Sequence, residues 1–221
     1  LLLDTLYLNC NNVCIYLGFT KGFAHMGLKE KYNHLYEIAE SQGGYFTAQQ
    51  AKEVGFSWER LSSNADTGRF NRVQHGVYRL SQFPGSKYGD LFIAWLNAGK
   101  NSVISHESAL SLYELSDQLP AEIHVILTRN SSRRKKGFRI HTNELSPDEI
   151  TWKEGLKVTT VERTLVDVLS YGIAQEQVDL AVHQALQRGL ITSESLLKQA
   201  SKHSKAMFHR LQKILKREKS G

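Results

Sequence analysis

Between residues 57 and 67 the chain carries arginine, amide and hydroxyl side chains whose chemistry suits nucleic acid. Arg and Asn can form paired hydrogen bonds with the edges of guanine and adenine, and Ser can bind either a base or a phosphate. Helical spacing in WERLSSNAD places Trp58, Leu61 and Ala65 on one face, which we expect to pack inward. The side chains left outside, which we predict to contact DNA, are Arg60, Ser62, Ser63 and Asn64.

The stretch GRFNRVQHGVYRL, which follows directly, predicts a short β-hairpin. Apolar or β-forming residues flank Gln74-His75-Gly76, as expected of two strands joined by a tight turn. Its basic and imidazole side chains suit phosphate or the minor groove, and we predict DNA contacts from Arg69, Arg72, His75 and Arg79. For His75, holding the turn is the favoured alternative. The whole surface could instead be a solvated polar face used for protein contacts.

Two further basic segments could add phosphate contacts. Residues 129–139 contain no acidic residue, and the candidate contacts there are Arg133, Arg134, Lys135 and Lys136. The alternative for this segment is a solvated loop. The C-terminal segment is also basic, but it contains Leu211, Ile214 and Leu215 at helical spacing, so we expect a docked helix with exposed charges.

Motifs for catalysis and metal binding are absent from the sequence. It contains no phosphate-binding glycine loop, nucleophile elbow or zinc-protease motif. Ser105 precedes His106 and Glu107, but adjacent residues point in different directions, so we predict that Ser105 caps a helix. His124, His141 and other histidines show no shared metal spacing. We therefore predict no catalytic residue, no metal and no cofactor.

Asp167 is the acid on which an enzymatic alternative would depend. It follows Arg163 by four residues, which is the spacing of a helical ion pair, and a structural pair is the interpretation we favour. The alternative class is a nucleic-acid-processing enzyme whose active site uses an acid such as Asp167.

The composition indicates a globular protein that is attracted to polyanions. The 221 residues are 41% hydrophobic and carry a formal net charge of +6, which favours nucleic acid as a partner. Cys10 and Cys14 alone cannot form a disulfide framework, so a cytoplasmic location is predicted. No apolar run reaches the roughly 20 residues of a membrane helix, and we predict no membrane partner.

The elements that must position the candidate residues can be placed along the first third of the chain. The helical pattern begins after Met26, and we expect residues 1–27 to be a non-native or disordered extension. Helices at about 28–42, 48–54 and 57–67 have the spacing of a helix-turn-helix. Together with the hairpin, or wing, they predict a winged-helix DNA-binding domain at residues 28–82.

A second domain is predicted after a linker at residues 83–86. We expect helices at 87–99 and after Ser105, strands at 121–129 and 138–142 joined by a loop or hairpin tip, a strand entering a helix capped by Thr159, and helices at 175–188 and 192–217. Residues 87–221 are therefore predicted to form a mixed α/β domain, and the predicted fold class is α+β.

The chain resembles AbiEi-type antitoxins of bacterial type IV toxin–antitoxin systems. The resemblance is carried by GGYFTAQQAKEVGFSWERLSSNADTGRFNRVQHGVYRL and, downstream, by SHESALSLYELSDQLPAEIHVILTR and LKVTTVERTLVDVLSYG. These segments span most of residues 28–188.

The resemblance implies a DNA-binding repressor of its own operon that also counters a nucleotidyltransferase-like toxin without forming a stable complex with it. By analogy with such autoregulators, we expect cooperative binding to inverted repeats in its own promoter. A stand-alone winged-helix regulator without a toxin partner is the alternative.

Overall fold

The N-terminal part of the protein has the element order of a winged helix. The computed structural model describes residues 27–99, 101–116, 120–127 and 137–218. The first elements are α1 (Leu28–Glu40), β1 (Tyr45–Thr47), α2 (Ala48–Glu53), α3 (Trp58–Asp66), β2 (Phe70–Gln74) and β3 (Val77–Leu80). The three strands form an antiparallel sheet in the order β1-β3-β2. The predicted three helices and wing are present, and β1 is a strand that sequence patterning did not reveal.

Short polar side chains define where α2 and α3 begin. The Thr47 hydroxyl accepts a hydrogen bond from the Gln50 backbone N–H, and the Thr47 N–H donates to the Gln50 side chain. Ser57 caps α3 by accepting from the Arg60 N–H. These caps pair backbone donors that have no partner within the helix, which explains the agreement with the predicted helix starts.

The second part of the protein surrounds a mixed five-stranded sheet. Its elements are α4 (Gly89–Ala98), β4 (Val103–Ile104), α5 (His106–Leu112), β5 (Ile123–Ile126), β6 (Phe138–His141), a 3-10 turn (Pro147–Glu149), β7 (Ile150–Lys153), β8 (Leu156–Thr159), α6 (Val161–Tyr171), α7 (Gln175–Gln187), α8 (Ser193–His203) and α9 (Lys205–Glu218). The strand order is β6-β5-β4-β8-β7. The α+β fold class is thus confirmed.

Two strand predictions need correction. β5 pairs with β6 in parallel, with Ile123 opposite Phe138, so these strands are not the two arms of a hairpin. The sheet also contains β4 and the antiparallel β7–β8 hairpin, of which only β8 was predicted. β4 has two residues, too few to show a period in the sequence.

Two helix predictions also need correction. The residue that caps α6 is Thr160, whose hydroxyl accepts from the Arg163 N–H, whereas Thr159 is buried and hydrogen-bonds to Thr164. The predicted helix at 192–217 is two helices, because Ser204 has an extended backbone and its hydroxyl accepts from the Met207 N–H.

Two hydrophobic clusters hold these elements together. The smaller cluster contains Leu35, Phe46, Leu61 and Phe70 and lies within the winged helix. The larger one fills the space around the five-stranded sheet, and it also includes Tyr45 and Val77 from the wing sheet. The ring of Tyr45 stacks on Phe92 of α4 at 5.9 Å. The winged helix therefore packs directly on α4.

Among the described residues, no helix is long and apolar enough to cross a membrane. The predictions for residues 1–26 lie outside the described part of the chain.

Candidate nucleic-acid interface

The exposed face of α3 presents three of the four side chains predicted there. Arg60, Ser62 and Ser63 are exposed. The Ser63 carbonyl accepts from the Thr67 hydroxyl, while the three side chains point away from the smaller hydrophobic cluster. This face offers a guanidinium and two hydroxyls, which can bind base edges and phosphates.

Asn64, the fourth predicted residue, is buried and has a structural role. Its side-chain oxygen accepts from the Tyr32 hydroxyl at 2.8 Å, and its amide nitrogen donates to the Arg60 carbonyl at 2.7 Å. Only 8% of Asn64 is exposed. Both ends of the amide therefore already bind within the winged helix, and the contact of Asn64 with DNA stays a prediction.

Trp58 takes the opposite position from the one predicted, since 62% of it is exposed at the first turn of α3. The buried arc of the helix runs from Leu61 to Asn64, and Trp58 lies on its flank, one turn before Leu61. A large aromatic ring thus stands in solvent beside the three polar side chains of α3. The helical spacing of Trp58 with Leu61 and Ala65 predicted that it is buried, and tryptophan is usually largely buried.

The wing also divides the predicted residues into two groups. Arg69, Arg72 and His75 are exposed, and the Arg69 guanidinium lies 4.8 Å from the centre of the Tyr32 ring. Arg79 is half-buried, donates to the Phe83 carbonyl and faces the Tyr45 ring, and its Nε is buried. In this conformation the Arg79 guanidinium has partners within the protein, and its contact with phosphate stays a prediction.

The turn of the wing is anchored from both sides. The Gly76 carbonyl accepts from the Ala48 N–H at 2.9 Å, next to the start of α2. The Gln74 side-chain oxygen accepts from the Asn97 amide of α4 at 2.6 Å. These contacts place His75 at a defined distance from the helix-turn-helix.

The charge of the winged helix is nearly balanced. Residues 28–82 contain seven Lys and Arg against six Asp and Glu. Glu59, on the exposed face of α3, has a pKa held below its usual range by its backbone hydrogen bond and by Ser57. Attraction to a phosphate backbone must therefore come from a few placed cations and not from a broad basic patch.

The other basic segments differ in what the structure says about them. Arg133, Arg134, Lys135 and Lys136 lie outside the described residues. In α9, Leu211, Ile214 and Leu215 are buried, as predicted for a docked helix. Some charges at this end of the chain have protein partners: Lys202 pairs with Asp148 at 2.7 Å, and Arg210 donates to the Leu169 carbonyl.

The acid considered for catalysis belongs to a buried ion network. Arg163 donates to Asp167 at 2.9 Å and to Glu149 at 3.0 Å. Gln199 of α8 also donates to Glu149. Burial raises the pKa of Asp167 to about 6, although the Arg163 charge opposes this shift. The network joins α6, α8 and the turn before β7, and the ion pair predicted from the four-residue spacing is present.

A histidine cluster was missed by sequence reasoning. His106, His124 and His141 each offer a ring nitrogen, and these three atoms lie within 4.8 Å of one another. His106 begins α5. His124 lies on β5 opposite Arg139, and His141 lies on β6 opposite Ile126, two positions further along the parallel pair and on the same face. Their sequence spacings match no metal motif, and only the parallel pairing of the two strands brings them together.

Burial keeps the imidazoles of this cluster uncharged at neutral pH. It lowers the pKa of His106 to about 2, with His141, His124 and Arg163 adding repulsion. It lowers the pKa of His124 and of His141 to about 4, with Arg139 contributing to both. Ser105, predicted to cap α5, instead places its hydroxyl 2.9 Å from His106 Nδ1 and makes no side-chain cap.

Two parts of the chain match known sequence profiles. A profile described as "Transcriptional regulator, AbiEi antitoxin" matches residues 33–81, and one described as "AbiEi antitoxin C-terminal domain" matches residues 102–217. The crystal structure of RV2827C protein from Mycobacterium tuberculosis is similar over 86% of this chain and 77% of that chain, with a TM-score of 0.50. At 15% sequence identity, that similarity concerns the fold alone. No curated protein matches the chain.

Proposed function

The chain belongs to the AbiEi antitoxin family, and from that membership we propose that it represses its own promoter and counters a nucleotidyltransferase-like toxin of a type IV system. The observation that carries the DNA-binding part is that α3 and the wing strand β2, which contact each other, and the wing turn all expose polar or basic side chains. These residues are Arg60, Ser62, Ser63, Arg69, Arg72 and His75. The site of action is the bacterial cytoplasm, where the operator lies.

In this proposal α3 enters the major groove and the wing follows the phosphate backbone. Arg60 is the side chain best suited to base recognition, because a guanidinium can donate two hydrogen bonds to guanine. Arg69 and Arg72 supply charge to the backbone beside that groove. Trp58 adds apolar contact at the start of α3, where a thymine methyl group or a sugar would meet it.

Because the charge of the winged helix is nearly balanced, the proposal predicts how strongly DNA affinity depends on salt. If Arg69 and Arg72 each neutralise one phosphate, the slope of log K against log salt is about −2 for each bound winged helix. A markedly steeper slope would assign part of the binding to the basic residues 129–136. Binding as pairs to inverted repeats would double the slope for each occupied operator.

A footprint of the purified full chain on DNA upstream of its own gene tests the proposal. Arg72→Ala should flatten the salt slope by about one unit on every sequence, while Arg60→Ala should cost about 1–3 kcal/mol on the preferred site only. Arg217→Ala is the matched control, because this side chain is 74% exposed on α9, far along the chain from the wing. Equal losses from Arg72→Ala and Arg217→Ala would contradict a role for the wing.

The antitoxin part is tested separately, in cells that express the neighbouring toxin gene. An Arg60→Ala, Arg72→Ala double variant should lose repression of the promoter and still restore growth, since the C-terminal profile covers residues 102–217. Copurification with the toxin should fail for the wild type, because we propose antagonism without a stable complex. Loss of growth rescue together with repression would place both functions on the DNA-binding face.

A further inference from the structure

The histidine cluster has the arrangement of a metal-ligand set. The His141 Nε2 and His124 Nδ1 atoms are 3.2 Å apart. Two imidazole ligands of a tetrahedral zinc ion, each at 2.0–2.1 Å from the metal, would be separated by about 3.3 Å. The third histidine, His106, brings a nitrogen within 4.8 Å of these two. For all three nitrogens to share one ion, the side chains must reorient.

The outward-facing nitrogens of two of these rings already have partners. His124 Nε2 lies 3.2 Å from the Glu107 carboxylate, which leaves Nδ1 directed at the cluster. His106 Nδ1 lies 2.9 Å from the Ser105 hydroxyl, which leaves Nε2 for a ligand bond. In metal sites, partners of this kind fix the tautomer and orientation of a ligating imidazole. Ser105-His106-Glu107 thus supplies one ligand and two orienting groups.

The protonation of the cluster also suits an ion. Because Glu107 accepts the Nε2 proton of His124, the Nδ1 of His124 is the acceptor of the bond from His141 Nε2–H. On metal binding, His141 moves its proton to Nδ1 and releases the Nε2 lone pair. Three neutral imidazoles then bind the ion, and no proton is released from them.

Binding of one ion by all three rings requires a local change in their packing. The His106 and His141 rings are stacked at 3.6 Å and 11°, so one of them must tilt to direct its nitrogen at a shared ion. Tyr171 packs edge-on against all three rings and is 41% exposed. Tyr171 and His141 therefore form the solvent-exposed side of the cluster.

The backbone at His106 is a second, independent sign of a built site. Its φ of 50° lies in the left-handed region, which a non-glycine residue rarely adopts. Such conformations persist where the surroundings determine them, and they concentrate at binding sites. Here the residue with this conformation begins α5, and its ring lies 5.6 Å from the His124 ring and stacks on His141.

We propose that His106, His124 and His141 bind a late first-row divalent transition-metal ion, with Zn²⁺ as the probe, and that Ser105 and Glu107 are positioning residues. Imidazole ligands without thiolate or carboxylate ligands favour Zn²⁺, Ni²⁺ or Cu²⁺ over Mg²⁺ or Ca²⁺. A tetrahedral ion held by three imidazoles would keep its fourth position for water. The ion would tie the edge strand β6 to β5 and to the start of α5.

The test uses the full chain, stripped with a chelator, in a Cys10→Ser, Cys14→Ser background, because thiolates outside the described residues could also bind zinc. Zn²⁺ is titrated by calorimetry, and Co²⁺ by its visible absorption, which is intense when the ion is four-coordinate. We expect one ion per chain and a spectrum without thiolate charge-transfer bands. His141→Ala, the variant at the least buried ligand, should weaken binding by at least 100-fold.

Two further variants keep the proposal falsifiable. Glu107→Gln should weaken Zn²⁺ binding about 10- to 100-fold while the Co²⁺ spectrum stays four-coordinate, which a purely structural role would not produce. His209→Ala, at an exposed histidine of α9, should bind as the parent does. No binding by the parent, or equal binding by the parent and a folded His141→Ala variant, would overturn the proposal. If His141→Ala does not fold, unchanged affinity of Glu107→Gln overturns it.

Discussion

At the scale of single residues, α3 shows how burial separates side chains that look equivalent in the sequence. Asn64 has a recognition-type amide, but Tyr32 and the Arg60 carbonyl occupy both of its ends. Trp58 has a large apolar side chain of the kind that usually packs in a core, but it is 62% exposed. The polar residue therefore stabilises the winged helix, and the apolar one is free to contact DNA.

Removing each of these two side chains tests its role. Asn64→Ala should lower the free energy of unfolding by about 1–3 kcal/mol, because it leaves the Tyr32 hydroxyl without its acceptor. Trp58→Ala should change stability by no more than about 0.5 kcal/mol, as for exposed positions, yet weaken operator binding. Urea unfolding and a DNA titration of both variants check this. An Asn64→Ala variant of wild-type stability would contradict the structural role.

Asp167 allows a prediction of pH dependence. Its folded-state pKa of about 6 lies above the ordinary value of 3.8, so the folded state binds the proton more tightly. The contribution of Asp167 to stability is thus fully present below about pH 4 and is lost as the pH rises through 6. Relative to Asp167→Asn, which cannot titrate, the wild type should lose about 2 kcal/mol between pH 4 and 7.

The measurement is urea unfolding of both proteins at several pH values. Asn keeps the oxygen that accepts from Arg163, and it replaces the Oδ2 atom that has no hydrogen-bond partner. The variant is therefore expected to fold. A stability difference that does not change with pH would show that Asp167 stays ionised throughout.

At the scale of elements, the link between α1, β1 and α2 depends on one glutamine. Gln50 accepts from the Thr47 N–H at 2.8 Å, and its amide donates to Gln42, which in turn donates to the Tyr45 carbonyl. All of this lies where the helix-turn-helix begins, and it positions α2 relative to the wing sheet. Gln49, its neighbour in the sequence, is exposed and contacts only Glu53 among the contacts described.

The two adjacent glutamines form a matched pair for mutation. Gln50→Ala should cost about 1–3 kcal/mol, because buried partners on Gln42 and Thr47 lose their bonds. Gln49→Ala should stay within about 0.5 kcal/mol, since it is a surface change in the same helix. Thermal and urea unfolding measure both. Equal effects would mean that helix propensity, and not the buried network, governs this element.

At the scale of the whole molecule, the winged helix and the five-stranded sheet meet around α4 and the β7–β8 turn. A Cβ atom on Gly155, in that turn, would lie 2.6 Å from the Ser41 carbonyl at the end of α1. Phe92 of α4 is the next neighbour and also stacks on Tyr45. Backbone from the two parts of the chain therefore approaches too closely for any side chain at this position.

Gly155→Ala tests this contact, with Gly172→Ala as its control. Both glycines have positive φ, of 78° and 88°, so alanine strains the backbone of each by about 1–2 kcal/mol. Only Gly155 adds a steric clash, because nothing lies within 4 Å of a Cβ atom at Gly172. We expect Gly155→Ala to be less stable than Gly172→Ala by a further 1–3 kcal/mol or so. Equal losses in urea unfolding would argue against the contact.

The sequence by itself determined the helices of the winged helix and their order. Thr47 and Ser57 are short polar caps, and the 3–4 spacing of apolar residues follows each of them, so local chemistry is sufficient there. The exposure of Arg60, Ser62 and Ser63 also followed from that spacing. The α+β class and the family resemblance came from the same local patterns, and both are confirmed.

Only the tertiary structure decided which polar side chains face outward and which distant ones meet. The burial of Asn64 depends on Tyr32 from another helix, and the inward turn of Arg79 depends on the Phe83 carbonyl. The parallel pairing of β5 and β6 sets His124 beside His141, while α5 brings His106 to both. Strand direction and helix docking arise from contacts between residues far apart in the chain, and periodicity within one segment carries no information about them.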